Sequence, residues 1–172
     1  MPTSTAVTTG TYTLDTARST IGVSHKAMWG LATVNGAFTP QAGGAEIHDS
    51  ATASGTITID AASVNTANAK RDEHLRSDRF FDTANHPTIS VTVRSATLGP
   101  DGKTVSVDAQ LTIRGVTHSQ EFTATVVETT PETVTLTTRF EVDRTRFGLD
   151  WNWAGMMRGP ATMTATLRFT RA

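Results

Sequence analysis

The chain has 172 residues, a formal net charge of −1 and no cysteine. A single domain of this size buries a sizeable core. A near-neutral charge without a long basic run argues against a surface built for nucleic acid or an anionic membrane, and the missing thiols exclude disulfides, thiolate metal sites and cysteine nucleophiles.

Residues 1–10 are rich in Thr and Ser and read as a disordered tail, followed by one domain over residues 11–172. No apolar run of signal-peptide length follows Met1, so the expected compartment is cytoplasmic. No segment is long and apolar enough to be an integral membrane span. Residues 12–14 form a short first strand and 19–29 a long one, with Ile21, Val23, His25, Ala27 and Trp29 on one parity. Trp29-Gly30 turns the chain into a strand carrying Ala32, Val34 and Phe38. Asn35-Gly36 resembles a hairpin signal, but a turn there would leave only stubs, so the glycine reads as a bend within the strand. Residues 41–46 read as a polar, Gly-rich loop, and 54–63 as a strand with Ile57 and Ile59 inward.

The alternation then breaks. Residues 68–76 form the one credible helix, capped by Asn65 or Asn68. Phe80-Phe81 follows, and His86-Pro87 returns the chain to extended backbone. Further strands run over 88–98, 103–113, 116–128, 132–142 and 161–170, with Gly99-Pro100-Asp101-Gly102 as a turn. Val105, Val107, Ala109, Leu111 and Ile113 alternate with polar residues, and so do Met163, Ala165, Leu167 and Phe169. A chain in which nearly every strand has one dry face must cover those faces with one another. The fold class is therefore all-β: an eight-stranded antiparallel up-and-down, lipocalin-like barrel with one short helical insertion. The large and small inward residues allow an interior that holds one small ligand. Parity nominates Val23, His25, Ala27, Trp29, Phe38, Ile57, Ile59, Val91, Ala109, Leu111, Phe122, Ala124, Phe140 and Leu167 as its lining.

The run Arg71-Asp72-Glu73-His74-Leu75-Arg76-Ser77, with Phe80-Phe81-Asp82 and His86-Pro87-Thr88-Ile89, resembles the signature of the YceI-like family of lipocalin-like, polyisoprenoid-binding proteins. Leu111-Thr112-Ile113-Arg114-Gly115-Val116-Thr117, the opening Tyr12-Thr13-Leu14-Asp15, Gly36-Ala37-Phe38 and Arg144-Thr145-Arg146-Phe147-Gly148 fit the same pattern, in family order. The resemblance implies an elongated apolar cavity that takes a polyisoprenoid, an isoprenoid quinone or a fatty-acyl-type lipid, with no other cofactor. A homodimer is allowed by analogy.

His25 is either a ligand-facing acid, base or hydrogen-bonding group, or a buried histidine satisfied by neighbours. Asp72 and His74 stand two positions apart and do not share a helix face, whereas Arg71 shares one with His74 and Leu75. No zinc-type ligand set converges, so Arg71, Asp72 and His74 read as a structural motif. Leu75, Phe80 and Phe81 either cover a barrel opening or fill core. Trp151, Trp153, Met156 and Met157 form an aromatic and Met-rich stretch between glycines, which reads as a portal. Arg94, Arg114, Arg139 and Arg168 read as solvated surface. The function expected is sequestration or transport of a long apolar molecule. The alternatives are a metal-free isomerase or cyclase of an isoprenoid or polyene, with His25 as acid or base, and a stress-related interaction module.

Overall fold

A computed structural model describes residues 8–27, 31–49, 51–149 and 158–172, with the side chains of Ala27 and Arg158 excepted. Its elements are β1 (Gly10–Leu14), β2 (Thr20–Ala27), β3 (Ala32–Ile47), β4 (Thr52–Asn65), α1 (Ala69–Arg76), β5 (Thr88–Leu98), β6 (Thr104–Ile113), β7 (Val116–Thr129), β8 (Thr133–Val142), a 3₁₀ turn (Arg144–Phe147) and β9 (Arg158–Arg171). All neighbouring strands are antiparallel. β1 pairs with the C-terminal part of β3 and of β9, and β2 with the opposite ends of the same two strands. β1 and β2 thus share one barrel position, and the nine strands fill the eight positions of a closed barrel. At the break between them, the Asp15 amide donates to the Arg168 carbonyl (2.8 Å) and the Ser19 hydroxyl accepts from the Arg168 amide (3.0 Å).

Asn35-Gly36 lies inside β3, with Gly36 opposite Val23. The loop expected at 41–46 is instead strand, because β3 continues to Ile47. Its glycines interrupt the apolar alternation while permitting close backbone approach at a barrel corner. A Cβ on Gly55 of β4 would stand 2.5 Å from the Gly44 carbonyl oxygen. The β6–β7 turn is made by Arg114 and Gly115, both at positive φ (53° and 74°), as a two-residue turn of this hand requires. Arg114 is therefore not simply a surface residue. Its guanidinium donates to the carbonyls of Asp78 (2.7 Å) and Gly148 (3.2 Å), tying the turn to the segments that close this end. Arg94 pairs with Asp108 across β5 and β6 at 2.9 Å.

Asn68 caps α1, accepting from the Arg71 amide at 3.0 Å. The helix is then tied to the end of β4 through Thr66. The Asp72 carboxylate accepts from the Thr66 amide (2.9 Å) and hydroxyl (2.6 Å). The Arg71 guanidinium donates to that same hydroxyl and to the Thr66 carbonyl, each at 2.7 Å. The His74 carbonyl accepts from the Ser77 amide at 3.1 Å, ending the helix. Asp72 and Thr66 are both buried. The Thr66 hydroxyl, then its amide and the cationic Arg76 and Arg71, hold the Asp72 carboxyl below the usual carboxylate range against the opposing effect of burial.

Two outcomes follow for this tie. Arg71→Ala should lower Tm, costing about 1–3 kcal/mol for hydrogen bonds lost from buried groups, while ligand retention persists; loss of ligand at unchanged Tm would contradict a structural role. The folded Asp72 pKa lies below its unfolded value of about 3.9. Its stabilisation is therefore complete above the unfolded value and is lost as pH falls through the folded one. Urea midpoints of the wild type should fall more steeply on acidification than those of Asp72→Asn, and parallel profiles would contradict this.

Candidate functional site

The inward faces are not packed alike along the barrel. At the end carrying α1, Phe38, Phe80 and Phe81 meet edge to face, with ring centroids 5.6 Å (Phe38–Phe81) and 4.9 Å (Phe80–Phe81) apart. Val64, Ile89, Leu111, Ile113, Val142, Phe147 and Leu149 are buried with them in one core. Large side chains from the helix insertion and the 3₁₀ turn thus plug this end.

The other half is hollow. A cavity of about 170 Å³ is lined by Tyr12 of β1, Ile21 of β2, Gly44, Ala45 and Ile47 of β3, and residues 53–57 and 59 of β4. Val91, Val93, Ala96, Val105, Val107, Phe122, Ala124, Val134, Leu136, Thr138 and Phe140 continue it around β5 to β8, and Met163, Thr164, Ala165, Leu167 and Phe169 close it on β9. The lining carries no carboxylate, imidazole, amine or thiol, and its surface is almost wholly carbon. The Thr138 hydroxyl is already committed to the Thr123 carbonyl at 2.8 Å, and the Tyr12 hydroxyl to the Thr8 carbonyl at 2.7 Å. Such a space suits apolar matter and offers nothing to a charge, whose burial without a partner is strongly unfavourable.

Ile57, Ile59, Val91, Phe122, Ala124, Phe140 and Leu167 all line the cavity, as parity nominates. Val23, Phe38, Ala109 and Leu111 do not: they pack into the two surrounding cores. Leu75, Phe80 and Phe81 are likewise part of the core rather than the cavity wall. The side chain of Ala27, and Trp29, Trp151, Trp153, Met156 and Met157, lie outside the described residues. Sequence reading missed Tyr12, Ile21, Gly44, Ala45, Leu136 and Ala165. Several of these share the inward parity, but parity carries no information about height along the barrel.

His25 is buried at the plugged end and does not line the cavity. Its Nδ1 lies 2.6 Å from the Lys26 carbonyl, and its Nε2 lies 3.0 Å from the Gly159 carbonyl and 3.3 Å from the Arg144 Nε. Arg144, itself buried, also donates to the Leu149 carbonyl. The imidazole is thus occupied with holding β2, β9 and the 3₁₀ turn together. Among the described residues no three His, Asp or Glu side chains gather as metal ligands, and no helix is long and apolar enough to cross a membrane.

A closed eight-position barrel, plugged by a helix at one end and hollow and apolar at the other, is a lipocalin-like fold. Residues 12–169 match the model of the YceI-like domain. The chain belongs to the YceI-like family. It is 41% identical over 61 residues to Protein YceI of Escherichia coli O157:H7, a stretch that is 36% of this chain and 31% of that protein. A UPF0312 protein of Staphylococcus aureus (strain N315) is 38% identical over 77 residues, 45% of this chain and 42% of that one. The chain thus spans about a third to two fifths of the length of the curated relatives it matches. BcnA of Burkholderia cenocepacia superposes with a TM-score of 0.78 at 20% identity, covering 90% of this chain and 98% of that chain. A polyisoprenoid binding domain from Saccharophagus degradans, implicated in plant cell wall breakdown, gives 0.71 at 17% identity, covering 94% and 98%. At these identities the likeness establishes the fold.

The empty volume makes its own prediction. Ala165→Leu places extra carbon in unoccupied space, so Tm should hold or rise. In a packed core the same change would be overpacking and destabilise by about 1–3 kcal/mol; thermal denaturation separates the two.

Proposed function

We propose that this protein binds and sequesters a long-chain, neutral isoprenoid or isoprenoid quinone, with its apolar chain in the barrel. The observation that carries the reading is the cavity lining itself, carbon on nearly all sides and without an ionisable acid or base beyond the committed Tyr12 phenol. The family and the Saccharophagus degradans neighbour, described as polyisoprenoid binding, support it.

The mechanism is sequestration. Each methylene taken out of water contributes roughly 0.8 kcal/mol, and no bond need be made or broken. The cavity of about 170 Å³ is close to the roughly 150 Å³ apolar space that takes one benzene. A long chain therefore enters tail first, seats only part of its length in this space, and gains the rest by moving cavity side chains or by lying along the mouth. A carboxylate or phosphate head stays outside, because the lining offers it no partner.

Titration with a neutral polyprenol, read by native mass spectrometry, tests this. Wild-type protein should retain one equivalent, and Ala165→Phe, which fills the cavity from β9, should retain none while keeping its thermal transition. Equal retention by both, or none by either, would overturn the reading.

A further inference from the structure

β7 and β8 are neighbours in the barrel, but their backbone ladder covers only part of their length. It runs from Thr129↔Val134 to Ala124↔Thr138 and stops. Beyond that rung β7 still continues back to Val116, fully paired with β6, and β8 continues to Val142, fully paired with β9. Residues 120–123 and 139–142 therefore face one another across a seam without ladder hydrogen bonds, and His118 beyond them meets the 3₁₀ turn. The Thr138 hydroxyl caps the last rung on the Thr123 carbonyl (2.8 Å).

What spans the seam is side chain. Phe122 and Phe140 stack across it, with centroids 4.3 Å apart and planes at 14°. Farther along, the Gln120 Nε2 donates to the Glu141 carbonyl at 3.3 Å. At the far end the His118 Nε2–H donates to the Arg146 carbonyl (2.9 Å), and the Arg146 guanidinium donates to Nδ1 (3.2 Å). The sequence explains the missing ladder. Carrying the last register forward would set Glu121 opposite Glu141, and like charges directly opposite oppose pairing. Gln120 and His118, opposite Ala109 and Leu111 of β6, also put polar groups on the inward parity, where an ordinary barrel strand carries apolar residues.

The seam reaches the cavity at the rings, since Phe122 and Phe140 line it and are only half-buried although both face inward. We infer that the β7–β8 seam is a lateral portal through the barrel wall, gated by the Phe122–Phe140 stack, by which an apolar chain enters and leaves the cavity. Opening it parts two rings and a few side-chain contacts, whereas opening at another strand pair breaks a backbone ladder whose groups would be left unpaired. The proposal rests on the carrier reading above, and it adds the route.

The native chain has no cysteine, so a staple across the seam is unambiguous. Thr123→Cys with Arg139→Cys, joined by oxidation or by a short thiol cross-linker, closes it from the outer face and leaves Glu121 and Glu141 in place. Ser106→Cys with Thr123→Cys, on a laddered pair of β6 and β7, is the control. With a polyprenol carried on vesicles, the joined seam should slow uptake and release at least tenfold at unchanged final occupancy. The unjoined double variant and the control should exchange at the wild-type rate, and Phe122→Ala should exchange faster. Wild-type exchange through a joined seam, at normal occupancy, would overturn the portal and leave the carrier reading intact. No uptake by any form would overturn the carrier reading and the portal with it.

Discussion

Closing nine strands into eight barrel positions creates an interior that the inward side chains must either fill or leave empty, and the rest of the molecule follows from how they do both. At one end the strands borrow bulk from outside the sheet. α1 brings Phe80 and Phe81 over the opening, and the 3₁₀ turn brings Phe147. At the other end no such insertion exists among the described residues, and the inward positions include Ala45, Ala53, Gly55, Ala96, Ala124 and Ala165. Small residues there do not reach across the barrel, so space remains.

The plug depends on polar chemistry as much as on apolar packing. α1 is short and carries little apolar surface of its own. The Thr66 hydroxyl and backbone, shared between Asp72 and Arg71, fix it to β4, while Arg114 ties the β6–β7 turn to the neighbouring carbonyls. His25 and Arg144 do the same between β2 and the 3₁₀ turn. Charged groups that at first suggest catalysis are thus gathered at the filled end, away from the cavity. This separation of polar ties from apolar space is what a binding barrel needs, and it is the arrangement that the YceI-like fold displays in this chain.

Most of the strands were legible because each obeys the two-residue period; β5 runs over the same residues the alternation indicates, Thr88–Leu98. The helix was legible through its loss of period and its Asn68 cap. The C-terminal part of β3 was not, since glycines at 43 and 44 erase the alternation while serving a tight corner against Gly55 and Leu14. For the cavity, parity separates inside from outside but not filled from hollow. Leu111 and Leu167 look equivalent in sequence, yet one packs in the plugged core and the other lines the void. The β7–β8 seam was also invisible, because β7 reads as one continuous strand and the missing ladder concerns its partner.

The central claim is that the hollow half of the barrel exists to hold an apolar chain. Native mass spectrometry of the protein purified from its own host, with solvent extraction of whatever travels with it, tests that claim most directly. The account predicts a stoichiometric neutral lipid with a long apolar chain, recovered in the solvent extract. Protein that emerges bare and stays bare after exposure to the host's own lipid extract would contradict it.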